Sequence, residues 1–528
     1  MHKLKGHFKN LIFPAFIFGA ITGIITALVV IVYKLVAKFV IAFSKDSYVF
    51  ISHKLYFIPI ILLAFYLIAF LFAFIYKKQP RVKGGGIPSS IALLRGIVTF
   101  KWLRTLIGVF FMSLTNFLIG VPLGNEGPSV LIGTTIGKGS IKLFAKKHPA
   151  WSKYSMTGGA CAGFTVATGA PISGLLFAIE DAHQRISPMI LIVGSVAVLF
   201  SHAISEILCP LLSLNTSIFP TFTISNLAIK DIWIPLIIGV LMGLFAVVFL
   251  KYYNGISTLI NKKLKKVPHH VKIFIVFTLT LIFGLISFSF ISTGHESFTL
   301  LLEKDIAIYG LIILLFVRMT LTLLANTTKL TGGVFLPFLA LGAIFSCIIA
   351  KILQLALAID DTYYTAILVL GLATCIASMM KMPLTAIVFS LEVFGCTNNI
   401  LYIIIAVAFS FIITQIFGAK GINEGIINNL VKAQEETHKR IVIDTHITIK
   451  KGSFAEYMHA KDIIWPANFF LLAISPSKER QSESDHNVFH EGDVLHIRYS
   501  TFDEEHTKRE LIAIVGEQDY DENQVELE

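Results

Sequence analysis

Three short segments combine glycine and proline in the same way: Gly84-Gly-Gly-Ile-Pro88, Gly124-Asn-Glu-Gly-Pro128 and Gly332-Gly-Val-Phe-Leu-Pro337. In each, glycine comes first and proline falls where an apolar helix would begin. Proline suits a first turn because its missing N–H has no intrahelical partner there. Glycine lets the preceding backbone turn and approach a ligand closely. The free amides and positive dipole end of such a helix attract an anion. One break of this kind is equally well a packing kink; three together point to an anion held by backbone amides. Glu126 lies inside the second break. A carboxylate there can occupy the same amide-lined site as a free anion, leaving when protonated and competing when ionised. One side chain would then be both gate and proton carrier. The plainer alternative is a carboxylate satisfied by the amides of its own helix N-terminus.

Two look-alike motifs are excluded. Gly133-Thr-Thr-Ile-Gly-Lys138 has three residues between its glycines where a phosphate-binding loop has four, and Gly139 stands where Ser or Thr should follow the lysine. His295-Glu296 lacks the second histidine of a zinc-protease helix. The five cysteines (Cys161, Cys209, Cys347, Cys375, Cys396) form no CxxC pair and sit in apolar sequence, so they read as buried thiols. Nothing in these patterns calls for a metal, a cofactor or an enzymatic step.

The elements that must position the breaks belong to a membrane. Of 528 residues, 55% are hydrophobic and 15% charged, and the 44 phenylalanines outnumber the 33 acidic residues. Mean hydropathy is +0.76. A soluble enzyme, a disordered regulator and a nucleic-acid binder are thereby excluded. The net charge of +11 resides in loops: Lys3, Lys5 and Lys9, Lys138 to Lys153, and Lys262 to Lys272. That placement marks a cytoplasmic face. Runs long enough to span a bilayer include Leu11–Val40, read as a retained first helix leaving the cytoplasm, Tyr56–Tyr76, Trp233–Leu250, Val271–Ile291, Ala307–Leu324 and Ile400–Phe417. Ile87–Leu94, Pro128–Ile136, Gly158–Thr168 and Phe335–Phe345 read as shorter, broken helices, tolerated at membrane depth only where they line a cavity or are buried in protein. An internal repeat supports a transport pathway. Pro171-Ile-Ser-Gly-Leu-Leu-Phe-Ala-Ile-Glu180 matches Pro383-Leu-Thr-Ala-Ile-Val-Phe-Ser-Leu-Glu392, and the breaks at Gly124 and Gly333 lie upstream of each at nearly the same offset. Two related halves with a site at their interface are a recurring transporter plan.

The ordered breaks resemble the signatures GSGIP, G(R/K)EGP and GGxFxP of the CLC family of chloride channels and chloride/proton exchangers. The resemblance covers about Leu11 to Leu430. It implies an all-α polytopic membrane protein with the CLC-type inverted repeat of broken helices, a homodimer with one pathway per subunit. By resemblance, Glu126 is the external gating glutamate. Val334 and Phe335 hold the central anion by their amides, and Gly85, Gly86 and Ile87 supply the inner anion site. Asp181, with Glu180 beside it, stands at the internal proton-transfer position; the plainer reading of this pair is a solvated acidic helix end. Three departures stand out: Gly85 replaces an anion-contacting Ser, Asn125 replaces the Arg or Lys before the glutamate, and Asn423 falls where an anion-contacting Tyr is expected. Asn423 could donate through its amide or be an ordinary helix-end residue.

After Phe417 the chain becomes polar. Strand-like alternations cover Arg440–Ile449 and Val494–Tyr499, with Asn468–Ile474 between them and a turn at His490-Glu-Gly-Asp493. This tail resembles a TrkA-C type domain, the ligand-sensing subdomain of potassium-conductance regulators. The expected organisation is a transport domain over 1–430, with halves at about 1–210 and 230–430, a small α/β cytoplasmic regulatory domain over 435–518, and an acidic tail over 519–528. The expected function is transport of chloride or a similar small anion across a prokaryotic plasma membrane, coupled to proton antiport. Its partners are then the anion, protons, the bilayer, a second copy and a small molecule at the C-terminal domain. The alternatives are a passive gated anion channel and a non-conducting membrane sensor. A cation conductor is excluded because no carbonyl filter such as TVGYG is present.

Overall fold

Helix α1 (Phe13–His53) begins with Pro14 in its first turn and continues well past the span read from hydropathy. The computed structural model describes residues 11–84, 86–303, 306–435, 440–477 and 488–518; Gly85 and the acidic tail lie outside them. The first half continues with α2 (Ile58–Lys78), α3 (Ile87–Leu94), α4 (Trp102–Ile119), α5 (Glu126–Phe144), α6 (Ser152–Thr168), α7 (Pro171–Phe177) and α8 (Pro188–Leu211). A single π turn over Ala178–Ala182 extends α7. The second half holds α9 (Trp233–Lys263), α10 (His269–Ile286), α11 (His295–Leu302), α12 (Ile308–Thr327), α13 (Phe335–Leu357), α14 (Tyr364–Cys375), α15 (Pro383–Phe394), α16 (Ile400–Ile416) and α17 (Ile422–Glu435).

Among the described residues, ten helical segments are long and apolar enough to cross a bilayer. Three of them escaped the hydropathy reading: Trp102–Ile119, Pro188–Leu211 and Asp361–Met380. Each carries polar residues, such as Arg104, His202 and Glu206 or Asp361, that dilute its apolar run. Two breaks expected to start short helices instead start long ones, since α5 has 19 residues and α13 has 23. Their glycines, lysines and serines do not end them because protein, not lipid, surrounds these helices. The most apolar stretch of α13 is 83% buried inside the protein, against 17% for the stretch containing α2.

The two halves repeat the same neighbours. Helix α1 packs on α8 as α9 packs on α16, and α5 packs on α6 as α13 packs on α14. Their opposite sense is fixed by a reciprocal pair of caps. Glu180, at the end of the α7 segment, accepts hydrogen bonds from the N–H groups of Leu384 (2.9 Å) and Thr385 (2.8 Å) and from the Thr385 hydroxyl (2.6 Å) at the start of α15. Glu392, at the end of α15, does the same to Ile172 (2.6 Å) and Ser173 (2.9 Å, and 2.6 Å to the hydroxyl) at the start of α7. Each carboxylate satisfies orphan amides of the other helix and complements its positive end, so the two helices run antiparallel.

Beyond α17, three strands form an antiparallel sheet in the order β1-β3-β2, with β1 Ile441–Thr448, β2 Phe469–Ser475 and β3 Val494–Thr501. A final helix, α18 (Glu504–Val515), follows with Asp503 as its N-cap. Ile443, Ile447, Leu495, Ile497, Tyr499, Leu511 and Val515 form the small core. The domain docks on the basic loop and start of α6. The Phe454 ring lies edge-on to Trp151 at 5.3 Å. The Tyr154 hydroxyl donates to the Asp462 carbonyl (2.9 Å) and accepts from the Ile464 N–H (3.0 Å). Lys153 pairs with Glu510 at 3.0 Å.

Candidate functional site: a buried carboxylate where three broken helices meet

The starts of α3, α5 and α13 converge. The Gly124 N–H donates to the Gly333 carbonyl (2.6 Å) and the Gly333 N–H to the Gly124 carbonyl (2.8 Å), so one β-bridge joins the breaks of the two halves. The first break joins them through Gly84, whose N–H donates to the Lys329 carbonyl (2.9 Å) and whose carbonyl accepts from the Gly332 N–H (3.4 Å). Gly84 has a φ of +72°, a left-handed conformation that a side chain would strain. A Cβ on Gly127 would meet the Cα atoms of both Gly333 and Gly86, so only glycine permits this approach. The junction is anchored laterally. Asn116 of α4 donates to the Thr331 carbonyl (2.8 Å), and the Thr331 hydroxyl and N–H both bond the Tyr76 hydroxyl of α2.

Glu126 opens α5 at this junction and is 0% exposed. Neither of its carboxylate oxygens has a hydrogen-bond partner. Its own amide and that of Leu336 face the carboxylate without closing a bond of normal geometry. The carboxylate lies against Gly124 and the Leu336 side chain, at the start of α13. The carboxylate thus lies beside the amide-bearing start of α13. Val334 and Phe335 begin α13, with the Phe335 ring edge-on to Phe164 (5.4 Å) and Phe389 (5.6 Å). Gly86 and Ile87 begin α3. The structure thus brings Glu126, Gly86, Ile87, Val334 and Phe335 to one place.

Asp181, Glu180 and Asn423 lie elsewhere. Asp181 is 7% exposed, and the Asn423 side-chain amide donates to its Oδ2 at 2.7 Å. Asp181 and Asn423, singled out separately in the sequence, are therefore in one contact. Arg95, which the sequence reading passed over, locks this corner. It donates to the carbonyls of Asp181 and Ala182 (both 2.8 Å) and pairs with Glu424 at 3.2 Å. Its signal was available, as an arginine directly after a short broken helix. Glu180, directly before Asp181, spends its carboxylate on capping α15. The His183 ring nitrogen Nε2 contacts the Thr157 hydroxyl at 2.8 Å. Along α6, Thr157 marks the depth of this corner. The antiparallel register pairing Gly137 with Ser155, Gly133 with Gly159 and Ser129 with Gly163, continued one turn, sets Glu126 beside Val166. At 1.5 Å per residue the two acids are roughly 14 Å apart in depth.

An inverted pair of helical halves, with broken N-termini from both aimed at one buried carboxylate, defines a membrane protein built to admit an anion. A family model described as "Voltage gated chloride channel" matches residues 67–415, and the chain belongs to that family of anion-transport proteins. Solved structures share the fold. A slow cyanobacterial Cl−/H+ antiporter aligns with a TM-score of 0.69 at 20% identity, covering 80% of this chain and 99% of its own. A CLC-type fluoride/proton antiporter aligns at 0.63 and 18% identity, over 76% of this chain and 95% of its own. A eukaryotic CLC transporter aligns at 0.63 and 18% identity, over 84% and 77%.

Proposed function

We propose that the chain exchanges chloride or a similar small anion for protons across a prokaryotic plasma membrane, with Glu126 as the gate. The observation that carries this is the fully buried Glu126 carboxylate, without a hydrogen-bond partner, seated at the start of α13. Ionised, it fills the anion's place. Protonated, it gives up its charge and leaves, and the anion meets the amides of Val334 and Phe335, with those of Gly86 and Ile87 on the inner side. The proton it took up is then released to the opposite side. Asp181 is the inner acid: it lies on the side of the docked C-terminal domain and is oriented by Asn423. Asn423 then acts through Asp181, in addition to any contact its carbonyl or amide makes with the anion. The basic stretch made of Lys138 and Lys142 at the end of α5, Lys146 and Lys147 in the loop and Lys153 of α6, on which the C-terminal domain docks, supports a cytoplasmic position for that domain. A cleft of about 520 Å³ between the two domains, lined by Arg81, Arg440, Asn468 and His506, is where a regulatory small molecule of a TrkA-C-like domain would sit. A homodimer completes the reading, with the outward side of the capped α7–α15 pair, carrying the exposed Ile172 and Leu384, as its apolar contact.

The test is purified protein in liposomes under an anion gradient, with anion and proton movement recorded together. Uphill proton movement establishes exchange. Anion flux without it makes the protein a passive channel, and absence of any anion flux favours the sensor.

A further inference from the structure

Helix α1 carries three lysines, Lys34, Lys38 and Lys45, at spacings of four and seven residues that keep them on one face. They lead from the surface toward Glu126. Lys45 is paired with Glu296 at 3.1 Å. Lys38 donates to the Ser213 carbonyl at 2.6 Å. Lys34, the deepest and half-buried, donates to the carbonyls of Val166 (2.8 Å) and Asn215 (3.2 Å). Val166 is the residue that the α5–α6 register sets beside Glu126, so the ammonium group lies at the depth of the carboxylate. Both of its acceptors are neutral carbonyls. Lys34 and Glu126 are within electrostatic reach of each other. Counted from Phe13, Lys34 is roughly 30 Å along α1, away from the C-terminal domain that borders Leu11 and Pro14. It therefore faces the outer side of the membrane. The residue directly before the gate, Asn125, carries no charge, and its buried Oδ1 has no partner.

We propose that Lys34 is the positioning residue of the outer mouth: it draws the anion inward and holds Glu126 in its seat, the part an adjacent cation at Asn125 would have played. The proposal rests on the reading of Glu126 as gate. A cation at this depth acts on both anions that compete for the junction. It raises the local concentration of the free anion at the mouth, and it favours the ionised, seated carboxylate over the protonated, released one. The other groups facing this pair are Tyr33 of α1, bonded to Ser113, Cys209 of α8, Lys38 beside Ser213, and His295 of α11 with its neighbours Glu296 and the buried Arg318 of α12, whose guanidinium donates to the Ser289, Ile291 and Ser292 carbonyls and the Ser297 hydroxyl.

The test uses full-length protein in liposomes, with chloride as the probe and the outer face exposed to varied pH and chloride. Flux rises as outer pH falls and the gate is protonated. In Lys34→Met the midpoint of that rise moves about one pH unit higher, and half-saturation by outer chloride needs roughly five- to tenfold more chloride. Lys34→Arg restores both values. Lys34→Gln retains a donor for the Val166 carbonyl and shows the shifts of Lys34→Met if the fold is intact, which covers a Met variant that fails to assemble. In a Glu126→Gln background, replacing Lys34 leaves a flat pH profile and still weakens half-saturation. Wild-type values of midpoint and half-saturation in folded Lys34→Gln, beside a wild type that is pH-gated, overturn this inference alone. A wild type without anion flux, or one whose pH dependence survives Glu126→Gln, overturns the gate reading on which it rests.

Discussion

Glu180 and Asp181 are adjacent in sequence and chemically alike, yet their surroundings assign them different work, and Glu180→Gln separates the two. The Glu180 carboxylate accepts three hydrogen bonds from the first turn of α15. A glutamine keeps one carbonyl acceptor and loses the charge. It gives up about one charge-assisted hydrogen bond and the interaction with the helix dipole, together about 2–3 kcal/mol. Glu180→Gln should therefore lower the thermal midpoint of the protein in detergent while leaving the ratio of protons to anions unchanged in liposomes. Asp181→Asn should do the reverse. Its Asn423 contact can reform with the amide flipped, so stability changes little, but a group that passes protons is lost and proton movement should fall about a hundredfold. The assay pairs a pH electrode and a chloride electrode on one liposome suspension with melting curves on the same preparations. Loss of proton movement in a Glu180→Gln protein of wild-type stability, with Asp181→Asn still coupled, would refute this assignment.

Further outcomes follow from the same contacts. Gly127→Ala places a methyl against the backbone of Gly333 and Gly86; about 1–3 kcal/mol of strain should force the breaks apart and depress anion flux, measurable as initial rates. Tyr154→Phe removes two of the hydrogen bonds that hold the Asp462–Ile464 segment, leaving those from Arg185 and Ser187, and faster amide exchange at Ile464 should report looser docking of the C-terminal domain. In that domain Arg498 binds both oxygens of Asp444 (2.7 Å each) and holds its carboxyl below the usual carboxylate range. A depressed carboxyl contributes stability above its unfolded value and loses it as pH falls through the folded one. Arg498→Gln should therefore raise the Asp444 titration toward pH 4, read by selective carbon labelling, and remove that acid-side loss.

The breaks, the repeat and Glu126 were legible in sequence because each depends on local rules: proline at a first turn, glycine where backbones touch, a charge in an apolar run. In the tail, β1 and β3 followed from their alternation and β2 from the resemblance of the domain, each starting within a residue of the expected place. What local rules do not contain is which helices lie in protein and which in lipid. For that reason α5 and α13 were read too short, and spans diluted by Arg104, His202 or Asp361 were missed. The partnership of Asp181 with Asn423, 242 residues apart, and the reciprocal caps by Glu180 and Glu392 exist only once the halves are folded against each other. Lys34 was visible as one of two lysines within Leu11–Val40, with Lys38, but its relation to Glu126 depends on the crossing of α5 with α6.

The central claim, that one carboxylate is both gate and proton carrier, is tested most directly by proton movement in Glu126→Gln liposomes under an anion gradient. The account predicts that proton movement disappears while anion flux persists and no longer responds to pH. Continued uphill proton movement in that variant would contradict it.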